Sequence, residues 1–205
     1  MIAFVRLRRP VVVALVACCT AVGGAGCTAG SSSDAPSGGT AMTVDARSAG
    51  PTELGCADAG SGSTPTAPGD LTIAGLTLEG LAGEVRDIPP ASRAGLDVPA
   101  RSDLRFRKAP AHVAAGAGPV TVELAQPTGD QALAWVPATE WTGEGRPDLR
   151  RWVTGRVTFD GCPDRDVTYF GGVLADRGDA CLHLRIQPTG TPAEEVRLRL
   201  DGHPC

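Results

Sequence analysis

Four cysteines, Cys56, Cys162, Cys181 and Cys205, and four basic side chains near the end of the chain, His183, Arg185, Arg197 and Arg199, have the types and spacing most suited to chemistry. An even set of cysteines without Cys-x-x-Cys spacing reads as two structural disulfides, not as a redox or zinc centre. The basic residues occupy alternate positions of Leu182-His183-Leu184-Arg185-Ile186 and Val196-Arg197-Leu198-Arg199-Leu200. As strands, these runs turn all four away from the core. A hairpin setting His183 opposite Arg199 and Arg185 opposite Arg197 makes a local basic face, with Arg105, Arg107 and Arg156 also outward by parity. Such a face suits carboxylate or phosphate through bidentate contacts. The competing explanation is compositional: strands tolerate Arg and deplete Asp, so arginines collect on sheet faces while acids fill turns.

Other candidates are weaker. Trp152 shares parity with Thr154, Arg156 and Thr158, opposite to Val153, Val157 and Phe159, so it reads as an exposed aromatic suited to a glycan, with cover from the preceding loop as the structural alternative. Trp135 shares parity with Leu133 and reads as core. Asp160, Asp164 and Asp166 crowd one turn but lack the register of a calcium loop, so they read as turn-stabilising carboxylates. His112, His183 and His203 sit in different segments. The chain has no Gly-x-Ser-x-Gly elbow, His-Glu-x-x-His motif or phosphate loop. No catalytic residue, metal or cofactor is therefore expected, and the leading reading is a non-catalytic binding or interaction module. A hydrolase whose site assembles only in the fold and a purely structural envelope protein are the alternatives.

These residues must be positioned by strands. Val120-Thr121-Val122-Glu123-Leu124 alternates cleanly, and weaker alternation occurs at 71–73, 104–107, 133–135, 153–159 and 167–173. Turn-forming clusters separate them, and only Pro147-Asp148-Leu149-Arg150-Arg151 reads as a helical turn. Seven or eight short strands over 70–205 predict a mainly β domain, an antiparallel β-sandwich, with an open barrel as the alternative. If the last four strands form a meander, Cys162 and Cys181 lie at opposite ends of a sheet, roughly 25 Å apart at about 3.3 Å per residue. That favours Cys56 with Cys162 and Cys181 with Cys205.

The first 26 residues set the compartment. Arg6, Arg8 and Arg9 precede an apolar run from Val11 to Val16 and then small residues, the pattern of a secretory signal and not of a spanning helix. Leu15-Val16-Ala17-Cys18 and Gly24-Ala25-Gly26-Cys27 both resemble the lipobox of bacterial lipoproteins. Cys27 is preferred, because it leaves a fuller apolar core and is followed by a Ser/Gly/Ala/Thr/Pro-rich segment; Cys18 is the alternative. The resemblance implies a lipid-anchored protein on the extracytoplasmic face of the cell membrane, with 1–26 as signal, 27–69 as flexible tether and 70–205 as the folded domain. The whole chain carries 19 Lys plus Arg against 23 Asp plus Glu. Loss of the three leader arginines leaves 16 against 23, a net charge of −7, which argues against nucleic acid as a partner. A monomer facing an anionic or glycan envelope ligand is the expectation.

Overall fold

Period-two alternation builds the first sheet. Val120, Val122 and Leu124 of strand β7 (Val120–Leu124) are buried while Thr121 and Glu123 between them are not. The same pattern buries Val157 and Phe159 of β10 (Arg156–Phe159), Leu182, Leu184 and Ile186 of β12 (Cys181–Pro188), and Leu198 of β13 (Glu194–Arg199). With β1 (Thr52–Leu54) these strands form a five-stranded sheet in the order β1-β10-β7-β12-β13, antiparallel except that β1 runs parallel to β10. This is a computed structural model, and it describes residues 50–62, 67–83, 105–127, 131–142, 147–175, 181–200 and 205. The leader, Cys18, Cys27, the first part of the expected tether and His203 lie outside the described residues.

The second sheet is organised by β11 (Val167–Ala175). Strands β5 (Arg105–Lys108) and β6 (Ala111–Val113) pair with it in one continuous register, interrupted at Ala109-Pro110 where proline has no N–H to give. β2 (Gly60–Ser61) and β8 (Ala132–Val136) also pair with β11, and the hairpin of β3 (Leu71–Ile73) and β4 (Leu76–Leu78) joins through β6. Gly171 and Gly172 sit where these backbones crowd: a Cβ would come within 2.3 Å of the Ala134 carbonyl oxygen at Gly171 and 1.9 Å of the Arg107 carbonyl oxygen at Gly172. Only glycine fits there.

The two sheets share one core. Trp135 meets Phe159 edge-on at 5.4 Å and donates its indole N–H to the Ala109 carbonyl oxygen at 2.9 Å. Tyr169 packs against Phe159 and donates to the Asp160 carbonyl oxygen; burial, with the charges of Asp160 and Asp58, raises its pKa. All five residues of β8 are buried, because the outer face of this sheet is covered too. A smaller cluster of Phe106, Ala132, Ala134, Val136, Leu149 and Leu174 lies there, beneath Trp141 of α1 (Ala138–Thr142) and Trp152. The protein is thus mainly β, with antiparallel sheets packed as a sandwich.

Several expectations need correction. The described residues hold thirteen strands, not seven or eight, because many are only two or three residues long. Folded structure begins inside the segment read as tether, since β1, the 3-10 turn Cys56–Asp58 and β2 all precede residue 70. The run 153–159 is not one strand: at Gly155 the chain leaves β9 (Val153–Thr154), paired to β8, and enters β10 of the other sheet. The last four strands are not a meander, because β11 belongs to the second sheet and only β12 and β13 form a hairpin. The Cys56–Cys162 bridge nevertheless forms, with 5.3 Å between Cα atoms, because parallel pairing of β1 with β10 delivers both cysteines to the same end.

Candidate functional site

The outer face of the five-stranded sheet carries the candidate basic residues, and its register decides what they do. Arg156 lies opposite Glu123, Glu123 opposite Arg185, and Arg185 opposite Glu195, a row of alternating charge across four strands. The next pair in the hairpin is His183 with Arg197, followed by Cys181 with Arg199. This corrects the expected partners, His183 with Arg199 and Arg185 with Arg197. The side chains keep the predicted face, but β13 is displaced along β12 by two residues because the connecting turn includes Gly190 at φ 78° and closes with Thr191 N–H on the Pro188 carbonyl. The row removes the like-charge opposition that the other register imposes on Arg185 and Arg197.

Beyond the neutralised row, the next pair along the hairpin sets two basic side chains opposite one another, of which His183 has a carboxylate beside it in Glu195. Gln126, Cys181, Leu182, His183, Arg197 and Cys205 line an open pocket of about 250 Å³. Arg197 is exposed, while His183 is largely covered and its Nε2 lies 3.2 Å from Glu195 Oε2. A guanidinium, an imidazole and a carboxamide on one small concavity can donate to the oxygens of a carboxylate or phosphate. Cys181 and Cys205, the expected second pair, meet in this pocket as thiols in hydrogen-bond contact. Burial, that bond and the charge on Cys181 push the Cys205 thiol up to about 11, against the opposing pull of Arg199 and Arg197.

The other candidates do not converge on it. Arg105 and Arg107 belong to β5 in the second sheet, so they cannot extend the face. Arg107 is not outward at all: it is 5 % exposed and its Nη2 donates to the carbonyl oxygens of Gly80 and Gly83. Desolvation lowers its pKa. Trp152 is partly buried and packs against both apolar clusters, because it ends the 3-10 turn Leu149–Arg151 and lies outside the strand whose parity was applied to it. Asp166 accepts the Ala115 N–H at 2.8 Å, tying two loops together. Among the described residues no group of three His, Cys, Asp or Glu side chains is placed to hold a metal.

One arrangement went unseen in the sequence. His112 Nδ1 lies 2.9 Å from Thr168 Oγ1 and its Nε2 lies 3.1 Å from Glu79 Oε2, a hydroxyl–imidazole–carboxylate chain. Its geometry is structural. Thr168 is 5 % exposed, and the Gly62 backbone passes so near that a Cβ there would stand 1.9 Å from the Thr168 hydroxyl, leaving no approach for a substrate carbonyl. The hydrogen-bonded chain ties β6 to β11 and to Glu79, the residue that follows β4. Gln126 and Glu195 were also missed; the alternation marks Glu195 as outward, but only register puts it beside His183. No family model, curated protein or solved structure matches the chain.

Proposed function

We propose that the protein is a lipid-anchored extracytoplasmic lipoprotein whose β-sandwich is a non-catalytic binding module for an anionic group of an envelope molecule. The lipobox-like leader supports the anchoring. The binding reading rests on one observation: the alternation of charge across the outer face stops at Arg185–Glu195, and the next pair, His183 with Arg197, borders a pocket. An oxyanion there adds a negative partner for the exposed Arg197, whose strand neighbour His183 already contacts Glu195. Of the four basic residues, Arg197 and His183 carry the contact, and Arg185, faced by Glu123 and Glu195, is a member of the structural row.

The test has two readouts. Binding of inorganic phosphate, of phosphatidylglycerol vesicles and of a phosphate-bearing polysaccharide is compared in wild type, Arg197→Ala and Arg156→Ala. Loss of a charged contact should weaken binding by Arg197→Ala roughly tenfold at low salt. The difference should shrink as salt shortens the screening length to about 8 Å, and Arg156→Ala should bind like wild type. Equal binding by folded wild type and Arg197→Ala refutes the site. Separately, Cys27→Ala should move the full-length protein from the membrane to the soluble fraction; release by Cys18→Ala instead transfers the anchor to Cys18, and retention in the double mutant refutes lipid anchoring.

A further inference from the structure

We propose that Cys181 and Cys205 are a second oxidation site, closing to a disulfide that clamps residue 205 onto the first residue of β12 and forms one wall of the pocket. Cys181 opens β12 opposite Arg199, so the chain that leaves β13 starts beside it. Cys205 has come back to that point: its sulfur lies 3.3 Å from the Leu198 carbonyl oxygen and in hydrogen-bond contact with Cys181. Both cysteines line the same pocket. The two thiols therefore share one pocket at the start of β12, whereas Cys56 and Cys162 are already joined to each other.

Closure follows thiol–disulfide exchange with a disulfide-bearing oxidant. One protein thiolate attacks the oxidant's disulfide and expels a thiolate, leaving a mixed disulfide. The second protein thiolate then attacks the protein-bound sulfur and expels the other half. Two protein thiols lose two protons and two electrons, and the oxidant's S–S bond ends as two thiols. The high pKa of the Cys205 thiol keeps it mostly protonated near neutrality, so exchange that begins on Cys205 speeds up as pH rises toward 11. The two bridges also differ in exposure: Cys162 is fully buried, whereas Cys205 is exposed. Mild reductant should reach the second bridge first.

The experiment is peptide mapping of the purified chain, after incubation with oxidised glutathione and alkylation without reduction. The expected result is two linked peptide pairs, Cys56 with Cys162 and Cys181 with Cys205, of which low dithiothreitol opens only the second. Cys205→Ser should lose the second linked pair and leave Cys181 alkylated, while keeping the first as evidence that it has folded. Quantitative alkylation of wild-type Cys181 and Cys205 after oxidation, with Cys56–Cys162 intact, overturns the proposal, as does a linked pair joining either one to Cys56 or Cys162. Phosphate plays no part in this readout, so it is independent of the binding site proposed above.

Discussion

At the scale of single residues, the buried polar groups show why similar-looking side chains have different roles. Arg107 and Arg197 both sit on strands, yet one is enclosed beneath the 80–83 turn and bonds to two carbonyl oxygens, while the other borders a pocket. His112 and His183 differ likewise: His112 links Thr168 to Glu79 inside the second sheet, and His183 lies at the pocket beside Glu195. If the His112 chain is structural, Thr168→Val should leave a buried ring nitrogen without its hydroxyl partner and cost about 1–3 kcal/mol. Equilibrium urea unfolding should show a lower midpoint at unchanged slope. Unchanged stability would remove the structural account of this trio.

At the scale of elements, β11 organises the second sheet and the β12–β13 hairpin closes one side of the first. β11 serves as a shared partner for four strands, and Gly171 and Gly172 admit the backbones of β8 and β5 where a Cβ would collide. Gly172→Ala should therefore cost more than about 4 kcal/mol or abolish folding, since backbone and not a flexible side chain must give way. Gly190→Ala is the contrast. Its φ of 78° is strained for alanine, but nothing lies within 4 Å of the added Cβ, so about 1–2 kcal/mol is expected. Thermal melts followed by circular dichroism would separate the two, and similar melting temperatures would refute the crowding argument.

At the scale of the molecule, the Cys56–Cys162 bridge ties an N-terminal edge strand into a sheet formed by later residues. It spans 106 positions, and β1 is also held by parallel pairing to β10, by burial of Leu54 and by the Asp160 N–H on the Leu54 carbonyl oxygen. Cys56→Ser with Cys162→Ser should lower stability by about 2–5 kcal/mol. Hydrogen exchange should show the amides of β1 losing protection before those of β7 and β12, which are paired on both sides. Uniform loss across the sheet would show that the bridge does not act locally.

Alternation by itself determined the class of fold and the facing of side chains in β7, β12 and β13, because in an extended chain a side chain's face depends only on its own position. The pairing of Cys56 with Cys162 was also legible, although the meander used to reach it was not the topology that produces it. The sequence could not reveal the neighbours. Strand pairing is non-local, and sliding a strand by two residues preserves its face while exchanging every partner, so the turn at Gly190 was needed to put Glu195 rather than Arg197 opposite Arg185. The same limit hid the second sheet's covered outer face and with it the burial of Arg107 and Trp152, since parity tells which way a side chain points and only tertiary packing decides what lies there.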